Sequence, residues 1–129
     1  MTERFTVLLV DDNPVNLRVL HKILAPLNLR PLIAVSGQDA LRIAAQESPV
    51  LVLLDINMPG MSGFDLLEEL EKAWPDGGHI TVAFVTSSSS PGEQARAISH
   101  PMVVDFATKP IRNSRFDDLL GRARDKLAS

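Results

Sequence analysis

Three aspartates, a threonine and a lysine each stand where a short apolar run ends. Asp11 and Asp12 close the run from Phe5 to Val10, and Asp55 closes Val50 to Leu54. Thr86 follows Ile80 to Val85, and Lys109 follows Val103 to Thr108. Asp55 is the sharpest case, because five apolar residues precede it without a polar break. Such a run reads as a strand buried on both faces, the pattern of a parallel sheet. A polar group brought there without a partner costs roughly 2–7 kcal/mol even when neutral. If the strand ends meet, three carboxylates repel one another unless a cation lies among them. Oxygen ligands with no His or Cys nearby favour Mg²⁺ over Zn²⁺. Mg²⁺ takes one or two carboxylates and keeps water and phosphate oxygens, which leaves an aspartate able to act as a nucleophile and become an acyl phosphate. Thr86 and Lys109 are the hydroxyl and the cation that the phosphoryl oxygens of such an intermediate need.

For these residues to meet, strands and helices must alternate. After the first strand, Asn13-Pro14 signals a helix start, Leu17, Leu20, Leu24 and Leu27 recur at helical spacing, and Pro26 stops the helix near Ala25. Pro31 to Val35 is a second, shorter strand. Ser36 with Asp39 resembles a capping box, opening a second helix with Leu41, Ala44 and Ala45 on its apolar side and ending before Pro49. After the strand that ends at Asp55, Ser62 and Asp65 form a similar pair. Phe64, Leu67 and Leu70 then share a face of a third helix, which Pro75 stops ahead of the loop Asp76-Gly77-Gly78. Ile80 to Val85 is the fourth strand. Ser90-Pro91-Gly92-Glu93 combines a cap, a proline at the first helical position and a glutamate three residues on, and His100-Pro101 closes that short fourth helix. Val103 to Thr108 is the fifth strand, and Ser114 with Asp117 opens a last helix carrying Phe116, Leu119, Leu120, Ala123 and Leu127. Five strand–helix repeats with short connections imply an α/β fold, a doubly wound parallel sheet with helices on both faces. Ligands bind such sheets beyond the carboxyl ends of the strands, where the three acids, Thr86 and Lys109 gather.

Length and composition narrow the field. At 129 residues the chain reads as one domain, 1–129, with 45% hydrophobic and 22% charged residues, values that suit a globular fold. A net charge of −3 supplies no electrostatic reason to bind nucleic acid or membrane. The absence of cysteine excludes disulfides, thiol catalysis and thiolate metal sites. No apolar run reaches the roughly 20 residues of a membrane-spanning helix, and a cytoplasmic protein is expected.

Taken together, VDDN at 10–13, LLDINMPGMSG at 53–63, VTSS at 85–88 and FATKP at 106–110 make the sequence resemble the receiver domain of two-component response regulators over residues 6 to 127. The resemblance implies a five-stranded (βα)5 flavodoxin-like fold with strand order 2-1-3-4-5, an order the general rule for doubly wound sheets also gives for a chemotaxis regulator. It implies that Asp55 is the phosphoacceptor and that Asp11 and Asp12 hold Mg²⁺ together with Asp55 and the backbone carbonyl of Asn57. It further implies that Thr86 is a switch hydroxyl, Phe106 a switch aromatic and Lys109 the lysine that pairs with the phosphoryl group, with Lys109-Pro110 a bond often cis. The implied partners are a histidine kinase or histidine phosphotransfer protein and a downstream protein that reads the face of the fourth helix, fifth strand and fifth helix. The implied activity is a signalling switch, not an enzyme beyond its own phosphorylation and dephosphorylation. Ser87 and Pro101-Met102 depart from the family's usual small residues at those places, as does the short, proline-bounded fourth helix. They leave the phosphorylation chemistry untouched and bear on the output face. The chain reads as a stand-alone receiver or as a domain from a longer chain that begins with one.

Plainer readings stand beside these. Asp12 could cap the first helix, and Phe106 could be core. His21, His79 and His100 read as surface or structural, Trp74 as a helix-end packing residue, and Met58 and Met61 as adaptable loop residues open to a partner. Arg115, Arg122 and Arg124 share the last helix with Asp117, Asp118 and Asp125 and read as a mixed, solvated face. A phosphorylation-independent interaction module, or an intermediate phosphorelay station, could use the same fold. A flavodoxin lacks support because Asp11-Asp12-Asn13-Pro14 would repel a phosphate. An aspartate-nucleophile phosphatase lacks its Asp-x-Asp on the first strand.

Overall fold

Why the apolar runs are continuous becomes plain from the sheet, which has helices on both sides. The computed structural model describes residues 5–24, 29–56, 58, 60–74, 80–86, 90–108 and 113–128. The elements run β1 (Phe5–Val10), α1 (Pro14–Leu24), β2 (Leu29–Ala34), α2 (Gly37–Glu47), β3 (Leu51–Leu54), α3 (Gly63–Ala73), β4 (Thr81–Thr86), α4 (Pro91–Ile98), β5 (Val103–Thr108) and α5 (Asn113–Ala128). All strand pairs are parallel, in the order β2-β1-β3-β4-β5. The expectations for Ala25-Pro26 and Leu27, Asn57, Pro75 to His79, Ser87 and Lys109-Pro110 lie outside the described residues, as do those for the side chains of Arg124 and Leu127.

Alternate residues of each central strand serve different cores. Leu8, Val10, Val52, Leu54, Val82 and Phe84 face α2, α3 and α4, where Ala40, Ala44, Phe64, Leu67, Leu70 and Ala97 meet them. Val7, Leu9, Leu51, Leu53, Ala83 and Val85 face α1 and α5, against Leu17, Leu20, Phe116 and Leu119. Every residue of β3 and β4 is buried, so no position in those strands tolerates a solvent-seeking side chain.

Local chemistry sets the helix starts. Ser62 with Asp65 and Ser90 with Glu93 form complete capping boxes. Ser36 forms only half of one: its hydroxyl accepts from the Asp39 N–H at 3.1 Å, while the Asp39 carboxylate pairs with Arg42 one turn on. Helix α1 is capped by Asn13, whose Oδ1 accepts from the Val15 N–H at 2.9 Å, and not by Asp12. Helix α2 ends at Ser48, a non-glycine residue in left-handed conformation at φ 47°. Trp74 ends α3 and packs on the core beside it, as expected of a helix-end residue.

Several details correct the sequence reading. β2 begins two residues earlier than Pro31, at Leu29. Ala40 and Ala44 are buried on α2 while Ala45 is exposed, because the stripe starting at Gly37 follows i, i+3 and i+7 spacing. α5 starts at Asn113, so Ser114 lies inside the helix and does not open it. Met58 is buried and therefore unavailable to a partner, and Met61 packs against Gly37 at the start of α2.

A bulge in β5 has the largest consequence. Val82 pairs with Val103, but Ala83 pairs with Asp105, so Val104 is an extra residue. One inserted residue reverses the face of everything after it. Phe106 thereby joins the α2–α3–α4 core beside Phe84, and Ala107 joins the α1–α5 core.

Candidate functional site

Sheet register brings the acids level with one another. Val10 pairs with Leu54 across β1 and β3. The next residues, Asp11 and Asp55, are tied down by the backbone: Asp11 N–H donates to Ala34 O and Asp55 N–H to Val10 O, each at 3.2 Å. Leu54 in turn pairs with Phe84, which carries Thr86 to the neighbouring strand end. One carboxylate oxygen from each of Asp11, Asp12 and Asp55 can be chosen so that all three lie within 4.8 Å of one another. Asp11 and Asp55 are buried and Asp12 is exposed. At an effective dielectric of about 20, like charges this close repel by roughly 3–4 kcal/mol per pair. The group is therefore one that could hold a metal ion, and its all-oxygen donor set fits a hard divalent cation.

The first turn of α1 aims Asp11. Its Oδ1 accepts from the Asn13 N–H at 2.9 Å and its Oδ2 from the Asn16 Nδ2 at 3.2 Å. Asn16 was not singled out from the sequence. Its position one turn into the helix that follows the acid pair is the signal that could have found it. Helix α3 approaches the other acid closely. Gly63 N–H donates to Ile56 O at 2.8 Å, and a Cβ at Gly63 would strike the Asp55 carbonyl oxygen.

Thr86 is fully buried at the end of β4 and lies level with Thr108 of β5. Phe106 is buried, its ring 6.0 Å from that of Phe84, which lies 5.2 Å from Phe64. Phe106 is thus core, as the plainer reading had it, and is also two strand positions from the register of Thr86. Lys109 and Asn57 lie outside the described residues. His100 is structural: its Nδ1 accepts from the Met102 N–H at 3.1 Å and its Nε2 lies 2.7 Å from the Glu71 carboxylate, tying the end of α4 to α3.

The sequence matches the response regulator receiver domain over residues 7–120. The chain belongs to this family. Response regulator PleD of Caulobacter vibrioides is 36% identical to this receiver domain over 118 residues, covering 92% of the chain and 24% of PleD. Transcriptional regulatory protein KdpE of Mycobacterium tuberculosis is 35% identical over 118 residues, covering 92% of the chain and 49% of KdpE. The chain thus spans between a quarter and half of the length of these relatives. Among solved structures, a response regulator receiver domain protein from Clostridium thermocellum superposes with a TM-score of 0.84 at 26% identity, over 97% of this chain and 99% of that one. No helix among the described residues is long and apolar enough to cross a membrane.

The receiver domain also holds its Phe106 backbone with an ion cluster that sequence reasoning missed. Asp105 is buried at the bulge, and its Oδ1 accepts both the Phe106 N–H at 2.8 Å and the Arg115 Nη2 at 2.7 Å. Arg115 also donates to the Phe106 carbonyl at 3.2 Å. Asp105 Oδ2 makes no hydrogen bond and has Arg122 Nη1 at 3.3 Å. Arg115 and Arg122 therefore turn to β5 instead of forming a solvated mixture with the acids of α5. The readable signal was an acid inside an apolar strand, with two arginines two helical turns apart on the next helix. Removing one partner of a fully buried pair costs ~3–5 kcal/mol. Arg115 is one-third exposed and Arg122 remains nearby, so Arg115→Ala should destabilise the domain by roughly 1–3 kcal/mol. Urea unfolding with an unchanged m-value checks this.

Proposed function

We propose that this receiver domain is a phosphorylation-driven switch in a two-component system, with Asp55 as phosphoacceptor. The reading rests on one observation, the meeting of the Asp11, Asp12 and Asp55 carboxylates at the carboxyl ends of β1 and β3. The three acids fit Mg²⁺ by donor type, so Asp11, Asp12, Asp55 and the Asn57 carbonyl would hold it. When bound, Mg²⁺ neutralises the acids and the incoming phosphoryl oxygens. The Asp55 carboxylate forms the new O–P bond as the P–N bond of a phosphohistidine breaks, and the imidazole of the donor leaves. The donor is a histidine kinase or histidine phosphotransfer protein. Lys109 and the Thr86 hydroxyl take the phosphoryl oxygens.

Phosphorylating a hydroxyl residue adds about −1.5 to −2 charges, and a comparable gain at Asp55 draws Thr86 toward it. Phe106 then repacks, and the face of α4, β5 and α5 presents a different surface to a downstream protein. The domain turns over no other substrate and works in the cytoplasm.

The direct test is incubation with acetyl phosphate and Mg²⁺ followed by intact-mass measurement. A single phosphoryl addition that requires Mg²⁺ is expected. An unlabelled protein that also fails to bind Mg²⁺ in the low-millimolar range would instead identify a phosphorylation-independent interaction module.

A further inference from the structure

On the far side of the sheet from β5, α1 does not cover the edge of β2. Between them runs a groove of about 480 Å³, floored by Pro14, Leu17, Ile33 and Val35. Ile33 and Val35 are 41% and 56% exposed, although both are β-branched residues suited to a sheet interior. The α1 side of the groove carries Arg18, His21 and Lys22. Among the described residues none of these three side chains is in an ion pair or a hydrogen bond. An unneutralised basic wall on a chain of net charge −3 is a local asymmetry. The nearby Arg30 does not share it, because Glu47 takes its guanidinium at 2.9 Å. That contact holds the Glu47 carboxyl below its ordinary range.

The groove also has a free backbone edge. Among the described residues β2 pairs with β1 alone, and the Ala34 carbonyl points toward β1, where Asp11 N–H meets it. In a strand, successive residues alternate edges, so Ile33 turns its N–H and C=O groups outward near the end of β2, and Val35 follows in a bend just past the strand. An open edge is a template for another strand. Pro31 shares the phase of Ile33 and has no N–H, which confines pairing to the Ile33 end of β2, beside the basic wall. A second copy of the chain is a poor occupant, since it would bring an identical basic wall against this one.

We propose that this groove binds an extended acidic segment of a partner protein, which pairs with the end of β2 at Ile33 and lies across Val35. An apolar side chain of that segment fills the floor and its carboxylates face Arg18, His21 and Lys22. Main-chain bonds along the edge supply affinity, and the apolar pocket and basic wall supply selectivity. The surface is separate from the acid cluster, so its occupancy does not depend on the phosphoryl chemistry.

The probe is the acetylated peptide Asp-Thr-Glu-Thr-Val-Thr-Glu-Thr-Asp, titrated into ¹⁵N-labelled protein. The Ile33 amide should shift and gain protection from exchange, and the Val35 amide should shift. Reversing two wall charges, in Arg18→Glu with Lys22→Glu, should weaken binding by roughly 10-fold, with an unchanged far-ultraviolet circular dichroism spectrum. N-methylating the peptide backbone, or replacing its acids with lysine, should remove binding. The proposal fails if those amides do not respond, if the charge-reversed protein binds equally well, or if the N-methylated peptide still binds. Concentration-dependent shifts of the same amides in the protein alone would make a second copy the occupant and would also overturn it.

Discussion

Asp55→Ala should lose the acetyl phosphate label completely, while Asp11→Ala and Asn16→Ala lose it in graded fashion. The grading follows from how the acid cluster is held. Asp11 is 2% exposed, and both of its oxygens are aimed by the first turn of α1, one by the Asn13 N–H and the other by Asn16. Removing Asp11 deletes one of the ligands proposed for Mg²⁺ and leaves the Asn13 N–H without its acceptor. Removing Asn16 leaves the ligand but releases its orientation. Loss of such an outer partner typically weakens metal binding about 10–100-fold. Asn16→Ala is therefore expected near the lower figure and Asp11→Ala at or beyond the upper one. Mg²⁺ titration by isothermal calorimetry reads the affinities, and intact mass reads the label. A label that persists in Asp55→Ala would assign the phosphoacceptor elsewhere. Equal Mg²⁺ affinity in the wild type and Asp11→Ala would remove the acid cluster as the cation site.

Gly63→Ala should damage both stability and phosphorylation. A Cβ there would overlap the Asp55 carbonyl oxygen and lie 2.9 Å from Ile56 Cα and 3.0 Å from Phe84 Cε1. Two of the three obstacles are backbone, and one belongs to Asp55, the proposed phosphoacceptor. Relief requires α3 to withdraw from the strand end, which breaks the Gly63 N–H bond to Ile56 O. Overpacking of this kind costs typically 1–3 kcal/mol, and here the upper end is expected. Thermal unfolding should shift down by roughly 6–15 °C, taking a few degrees per kcal/mol for a domain of this size. Phosphorylation should slow because Asp55 moves with its carbonyl. Gly37→Ala is the control: the three atoms nearest its Cβ all belong to the Met61 side chain, which is flexible and can swing aside. A Gly63→Ala protein as stable as Gly37→Ala would show that the α3 terminus adapts without disturbing Asp55.

The sequence by itself determined the element order, the parallel sheet and the identity of the clustered acids. Those features rest on short-range chemistry. Continuous apolar runs such as Leu51–Leu54 require two buried faces, Ser62 and Ser90 can cap only the helices that follow them, and acids at the ends of parallel strands must share one edge of the sheet. Tertiary structure alone decided the rest, because each remaining feature depends on a meeting of residues far apart in the chain. The extra residue in β5 is invisible until β4 supplies the register, and only that bulge turns Phe106 toward Phe84 and Asp105 toward Arg115 and Arg122. The same holds for Asp11, whose N–H is fixed by the Ala34 carbonyl across the sheet. It holds too for the groove beside β2: α1 and Ile33 are individually ordinary, and only their spacing leaves an apolar floor, a basic wall and an open edge together.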